Sequence, residues 1–251
     1  MYACQDEYLE ERPFGRKVAY MGQQAKAPQR VPLGRDRVLQ AAVALADRAG
    51  FESFSMRKLA EELDTAPMSL YRHVANKEDL LDGMIDIVFG EIESPPPGTE
   101  WKAEMRQRAI ATRAALSRHR WANGLMESRT SPGPANARYH NAFMGCLREA
   151  GFPFRRAVHA YNAVQSYTYG FALQEMHLSF ETPEESAELA RTTLGDHAAE
   201  YPYIAEVVAE FSKSGGYDYT EEFLIALDLI LDAIERLKQE DSSPPIAPAS
   251  I

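Results

Sequence analysis

Cysteine is nearly absent from this 251-residue chain: Cys4 and Cys146 are the only two, one in the leader and one on an otherwise apolar helix face. Two thiols so placed make no disulfide framework and fit a reducing cytoplasm. No apolar run approaches the ~18 residues that a membrane span needs, and the first residues lack the apolar block of a signal peptide. Strand alternation and fixed-period repeats are missing too. The six histidines and two cysteines show no zinc-ligand spacing, and there is neither a glycine-rich phosphate loop nor a nucleophile elbow. His197 and Glu200 share a helix face, but nothing around them completes a catalytic set. These absences argue against an enzyme and imply neither cofactor nor metal.

What is present is helical periodicity, and it is most informative from Arg35 to Glu93. Val38, Ala42, Leu45 and Ala49 share one stripe, which Gly50 stops. Ser55 is a good N-cap for a short second segment with Met56, Leu59, Ala60 and Leu63 at helical spacing. Asp64-Thr65-Ala66-Pro67 leaves room only for a tight corner. Thr65 or Ala66 caps a third helix there, with Pro67 in its first turn and its end near Val74. Leu70 and Val74 turn inward, Met68, Ser69, Arg72 and His73 face outward, and Tyr71 lies near the boundary. Asn76 to Asp79 is a capping-box variant opening a fourth helix with Leu80, Leu81, Met84, Ile85, Val88 and Ile92. This punctuation is that of a helix-turn-helix DNA reader.

Ser94-Pro95-Pro96-Pro97-Gly98 ends that helix and is the most visible linker. Beyond it, Thr99 can cap a helix with Trp101, Met105, Ala109, Thr112 and Leu116 on one side. Another helix carries Tyr139, Phe143, Leu147 and Ala150 up to Gly151. A long segment from Phe154 to about Leu178 aligns Val158, Tyr161, Val164, Thr168 and Phe171. Thr182-Pro183-Glu184-Glu185 is a strong helix start, and Asp218 opens a last helix with a broad apolar face reaching Leu237. The expected fold is therefore all-α, with about nine or ten helices. It divides into a basic, flexible arm at 1–32, the reader with its connecting helix at 33–94, a larger ligand-binding and dimerisation domain at 95–240, and a flexible tail at 241–251.

The residues resemble the TetR-type one-component transcription regulators. Phe51 and Phe54, Ser55 to Ala60, Leu70-Tyr71-Arg72-His73-Val74 and Asn76 to Leu81 look like the family's second helix, recognition helix and fourth-helix start. Further on, Trp101 through Leu116-Ser117-Arg118, Glu149-Ala150-Gly151-Phe152, Tyr169-Gly170-Phe171-Ala172-Leu173 and the last helix are similar to the regulatory domain of the tetracycline-repressor branch. The resemblance covers residues 33–238. One departure is Asp64, where the family often has glycine. Asp tolerates the left-handed conformation better than most residues, so the corner accepts it.

The resemblance implies a ligand-responsive repressor that binds a pseudo-palindromic double-stranded operator as a homodimer. It puts Ala66, Pro67, Met68 and Ser69 near base edges, Tyr71, His73 and Lys77 on phosphates, and Arg57 at the head of the second helix. Pro67 and Met68 suit a thymine methyl, and Arg57 or Arg72 the bidentate contact to guanine. In the tetracycline repressors a histidine after the fifth helix helps hold a drug-bound magnesium. Here Gly124 to Arg129 contains none, which argues against a metal-tetracycline effector.

Charge distribution bears on the DNA reading. The whole chain is acidic, with formal net charge −10, but Arg12 to Arg37 holds seven Lys and Arg against one acid, about +6. From Glu181 onward sixteen acids face four bases. A basic arm before the reader can follow phosphates, although a solvated leader fits the same residues; Arg35 and Arg37 are the better candidates. The last helix and the Phe154 segment suggest a four-helix bundle across a two-fold axis, with Phe171, Leu224, Leu227, Leu231 and Ile234 at the interface. Burial inside one chain is the plainer alternative. Trp121, Met126, Tyr139, Phe143, Met144, Tyr161, Gln165, Tyr169 and His177 are candidates to line a cavity for a small, largely apolar or aromatic effector, although such a stripe is often plain core. An enzyme, or a helical ligand-binding dimer without specific DNA binding, is the rival reading.

Overall fold

The computed structural model describes residues 32–239 apart from 97, 127, 130 and 132. The tail expected at 241–251, and the basic arm apart from Pro32, lie outside the described residues. Within them there is no strand, and ten α-helices follow one another. They are α1 (Arg35–Ala49), α2 (Met56–Glu62), α3 (Pro67–Leu70), α4 (Lys77–Gly90) and α5 (Trp101–Arg118), then α6 (Pro134–Glu149), α7 (Phe154–Met176), α8 (Pro183–Leu194), α9 (Pro202–Lys213) and α10 (Tyr219–Gln239).

Local chemistry sets the first four. Gly50 takes a positive φ of 73° after α1 and returns its N–H to Ala46, a conformation that side-chain-bearing residues resist. The Ser55 hydroxyl accepts the Lys58 N–H at 3.2 Å, and Asn76 Oδ1 accepts that of Asp79 at 2.8 Å, as the cap positions require. Asp79 Oδ2 in turn accepts the N–H of Ala75, one residue before the cap, at 2.7 Å, a variant of the reciprocal box. Asp64 does adopt the left-handed corner, with φ 48°. Val38, Ala42, Leu59, Leu70, Leu80 and Met84 are fully buried and join the four helices into one core. Gly83 lets α1 come close, since a Cβ there would stand 2.6 Å from the Leu39 side chain.

Three expectations need correction. The third helix ends at Leu70, not near Val74; the chain continues as a tighter turn in which His73 N bonds to Leu70 O at 2.8 Å, and Val74 still reaches the core. Glu100, not Thr99, caps α5, its carboxylate accepting from the N–H groups of Lys102 and Ala103. A carboxylate at the positive end of a helix is favoured over a neutral hydroxyl. On α7 the buried stripe runs through Ala157, Ala160, Val164, Thr168 and Ala172, leaving Val158, Tyr161 and Phe171 half-covered. Small side chains on that stripe let α7 lie close against α5, α6 and α10.

Candidate nucleic-acid interface and regulatory layer

The corner helix α3 is held from beneath by Leu70, while Met68 is 74% exposed, Tyr71 43%, and Ala66, Pro67 and Arg72 lie open to solvent. Ser69 and His73 are half-buried, and Lys77 is exposed at the first position of α4. These candidates fall on one outward turn and its exit. Arg57 is exposed at the start of α2, within 3.1 Å of Glu61 one turn on. Arg35 donates to both Asp79 oxygens, at 2.7 and 2.8 Å, and to the His73 carbonyl at 3.1 Å. It ties α1 to the exit of the recognition turn. The bond from Arg35 holds the Asp79 carboxyl below the usual carboxylate range, against a smaller opposing push from burial.

Between α5, α6 and α7 lies a buried polar chain. Tyr139 donates to Gln165 Oε1 at 3.0 Å and so accepts from the Thr112 hydroxyl at 3.0 Å, while Gln165 Nε2 donates to Tyr169 at 2.9 Å. Beside it Tyr161 meets His140 Nδ1 at 2.6 Å, and the Phe143 ring stacks edge-on to Tyr161 at 5.0 Å. Tyr139 also touches Phe89 of α4, their centroids 5.3 Å apart. Five of the nine cavity candidates thus meet in one cluster: Tyr139, Phe143, Tyr161, Gln165 and Tyr169. The others lie elsewhere. Trp121 packs on Phe51, Met126 is buried, Met144 is half-buried, and His177 is exposed past the end of α7. Thr112 and His140 were missed as site residues; a threonine on an otherwise apolar stripe, and a histidine beside the tyrosine of another, were the available signals.

Tyr139, Phe143 and Gln165 are buried, and Tyr139 also borders an open concavity with Phe89, Ala135 and Arg138. An open cavity of about 320 Å³ lies to one side, between the ends of α5 and α7 and the start of α10, lined in part by Arg120, Phe180, Tyr217 and Tyr219. None of the nine candidates lines it. Burial, then the nearby Glu104, push the Cys146 thiol up to about 12, which keeps it protonated near neutral pH.

Several ties join α1 and α4 to the helices that follow. Arg129 pairs with Glu78 at 2.5 Å and with Asp82 at 3.1 Å, and Asp86 accepts the Asn136 N–H at 2.9 Å, so a carboxylate of α4 caps α6. Glu91 receives Arg118 and His119. Burial pushes its carboxyl up, yet the two bonds outweigh that and hold it below the usual range.

The interface candidates on α10 also need correction. Leu227, Leu231 and Ile234 are at most 3% exposed within a single chain, because α10 turns them onto its own α5 and α7. Apolar surface is left open instead at Leu173, Ile225 and Leu229, with Phe171 and Leu224 half-buried.

Among the described residues no helix is long and apolar enough to cross a membrane, and no three metal-ligating side chains cluster. Comparison with known proteins agrees with the geometry along the chain. Residues 38–84 match the family described as bacterial regulatory proteins, tetR family, and residues 94–237 match the tetracyclin repressor-like C-terminal domain. An HTH-type transcriptional regulator of Saccharopolyspora erythraea is 34% identical over 205 residues, covering 77% of this chain and 84% of that one. The HTH-type transcriptional repressor DrrR1 of Streptomyces coeruleorubidus is 31% identical over 92% of this chain and 90% of its own. Among solved structures, Streptomyces coelicolor ActR in complex with actinorhodin superposes with a TM-score of 0.70 at 26% identity, covering 84% of this chain and 100% of that one. A helix-turn-helix reader joined to a helical regulatory layer, matched over both parts, makes this chain a member of the TetR family of transcriptional regulators.

Proposed function

We propose that this regulator is a repressor that grips a pseudo-palindromic operator as a homodimer and leaves it when a small molecule enters the regulatory layer. The observation that carries the reading is the corner helix: Leu70 anchors it in the core while Met68, Tyr71 and Arg72 stand in solvent. On this reading Ala66, Pro67, Met68 and Ser69 approach base edges, Tyr71, His73 and Lys77 hold phosphates, and Arg57 and Arg72 are the bidentate partners for guanine. Arg35 acts from behind, by fixing the turn. Residues 33–94 are the reader and 95–240 the regulatory part, and the protein acts in the cytoplasm. Two copies meet through α7 and α10 at the open surface around Leu173, Ile225 and Leu229.

The effector is a ring-bearing molecule with hydroxyl or carbonyl groups. Its rings lie against Tyr139, Phe143 and Tyr161, and its polar groups replace bonds of the Thr112-Tyr139-Gln165-Tyr169 chain. Buried polar groups must keep partners, so a ligand that lacked such groups would leave them stranded. ActR, solved with actinorhodin, supports a bound effector in this fold. Release requires that the ligand bind one arrangement of the dimer better than the other.

Selection from a random duplex pool with purified protein is the test. Tyr71→Ala and Lys77→Ala should weaken every selected sequence, whereas changes at Met68 or Ser69 should shift which bases are preferred. A pool without enrichment, or four variants with wild-type affinity at one salt concentration, would overturn the proposal.

A further inference from the structure

We infer that Phe51 and Trp121 are positioning residues for operator binding, coupling Lys77 on the DNA side to the end of α5. The inference rests on the proposed contact between Lys77 and phosphate. Lys77 Nζ stands 5.8 Å from the centre of the Phe51 ring, in the short 3-10 turn that follows α1. Phe51 stacks on Trp121 with centroids 6.5 Å apart and planes 20° from parallel. Trp121, one of two tryptophans in the chain, donates its indole N–H to Asp47 Oδ1 of α1 at 2.6 Å. The same oxygen meets His119 Nδ1 at 2.9 Å, and His119 Nε2 meets Glu91 Oε2 at 2.9 Å.

The contacts form a loop that starts at the first residue of α4 and returns to Glu91, the residue just past its last. One network therefore holds both ends of the helix that leads away from the recognition turn. A rotation of α4 must disturb the lysine on its ring, the stack, or the His119 bridge. Both sides bear on the same links. A phosphate that draws Nζ toward itself competes with the ring for the cation. On the opposite side Trp121 lines a concavity together with Leu173 and Met176 of α7, so a shift of α7 reaches the indole directly. Contiguity alone does not establish coupling; a measured interaction energy does.

The experiment is a double-mutant cycle on affinity for the selected operator, with Lys77→Ala crossed against Trp121→Phe and against Phe51→Leu. Both ring variants keep apolar bulk, and thermal melting of each confirms that the chain is folded. Coupled residues give a cost of Lys77→Ala that shrinks by at least about threefold in either background, whereas independent ones give an unchanged cost. In a Trp101→Phe chain the single remaining indole, Trp121, should change its emission on operator binding, and adding Lys77→Ala should abolish that change at equal occupancy; a change that persists without Lys77 counts against the coupling. Additive costs in both cycles overturn the inference while leaving the operator reading intact. A Lys77→Ala variant with wild-type affinity sinks both the phosphate contact and the inference.

Discussion

The helix caps of the reader and the buried polar chain of the regulatory layer satisfy their polar groups in opposite ways. At the reader's caps, side chains accept from backbone N–H groups three or four positions away, Ser55 from Lys58, Asn76 from Asp79 and Asp79 from Ala75, and Arg35 adds a long-range tie to Asp79. In the regulatory layer they bond to one another across helices, with Thr112 and Tyr139 lying 27 positions apart and Tyr139 and Gln165 26. The first kind fixes a local shape and leaves the outward side chains open for a surface partner. The second builds a polar interior whose groups are already bonded to one another, where a ligand exchanges bonds with the protein by displacing those already made. One region is shaped to present groups, the other to trade them.

The largest expected effect sharpens that contrast at the packed end. Phe143 is fully buried among Tyr139 and Tyr161, and Phe143→Ala should lower unfolding stability by about 3–5 kcal/mol. Urea denaturation measures it. A loss under about 1 kcal/mol would mean that the layer already has room there, and would favour a preformed cavity over a packed one.

Next is the polar chain itself. Tyr139→Phe keeps the ring and strands Gln165 Oε1 and the Thr112 hydroxyl, which should cost about 1–3 kcal/mol. Operator affinity should stay within about twofold, because the change is remote from the reader and removes no charge. If operator binding fell by an order of magnitude instead, the two regions would not be separable in the way described.

A smaller effect is expected in the reader. Asn76→Ala removes the cap of α4 and should cost about 1 kcal/mol of stability. Here the operator affinity should fall as well, since the same cap fixes the exit of the recognition turn. Equal losses of operator affinity in Asn76→Ala and Tyr139→Phe, compared at one salt concentration, would break the contrast.

The same difference in range explains what could be read from the residues alone. Asn76 with Asp79, Ser55 before Met56 and the Asp64 corner announce themselves because cap and partner lie within one turn. The early end of α3 did not, since apolar spacing at Leu70 and Val74 is met equally by a helix and by a tighter turn. On α10, spacing showed an apolar face but not what covers it. Leu227 and Leu231 belong to the chain's own core, and the uncovered surface is at Ile225 and Leu229. For the regulatory layer, five of the nine candidates from the stripes meet in one cluster. Trp121 and His177 lie apart, because which residues of different helices face each other depends on packing angles that no local pattern encodes.

The smallest expected effect is a pH dependence that only the reader should show through its tie at Arg35. Asp79 has its carboxyl lowered first by the Arg35 bond and then by the Ala75 N–H, with burial opposing. A group with a lowered pKa in the folded state adds stability above its unfolded value, near pH 4, and loses it as pH falls through the lower folded value. The pair is partly exposed, at 43% and 32%, so solvent screening keeps its share under about 1 kcal/mol. Urea midpoints at pH 7 and pH 3 should therefore fall further for the wild type than for Arg35→Gln. Glu91 also has a lowered carboxyl, but it is present in both proteins and cancels in the difference. Tyr139→Phe, which leaves the Arg35–Asp79 pair untouched, should keep the full acid-side loss of the wild type. If Arg35→Gln keeps that full loss as well, the Arg35–Asp79 bond is not what holds the recognition turn to α1.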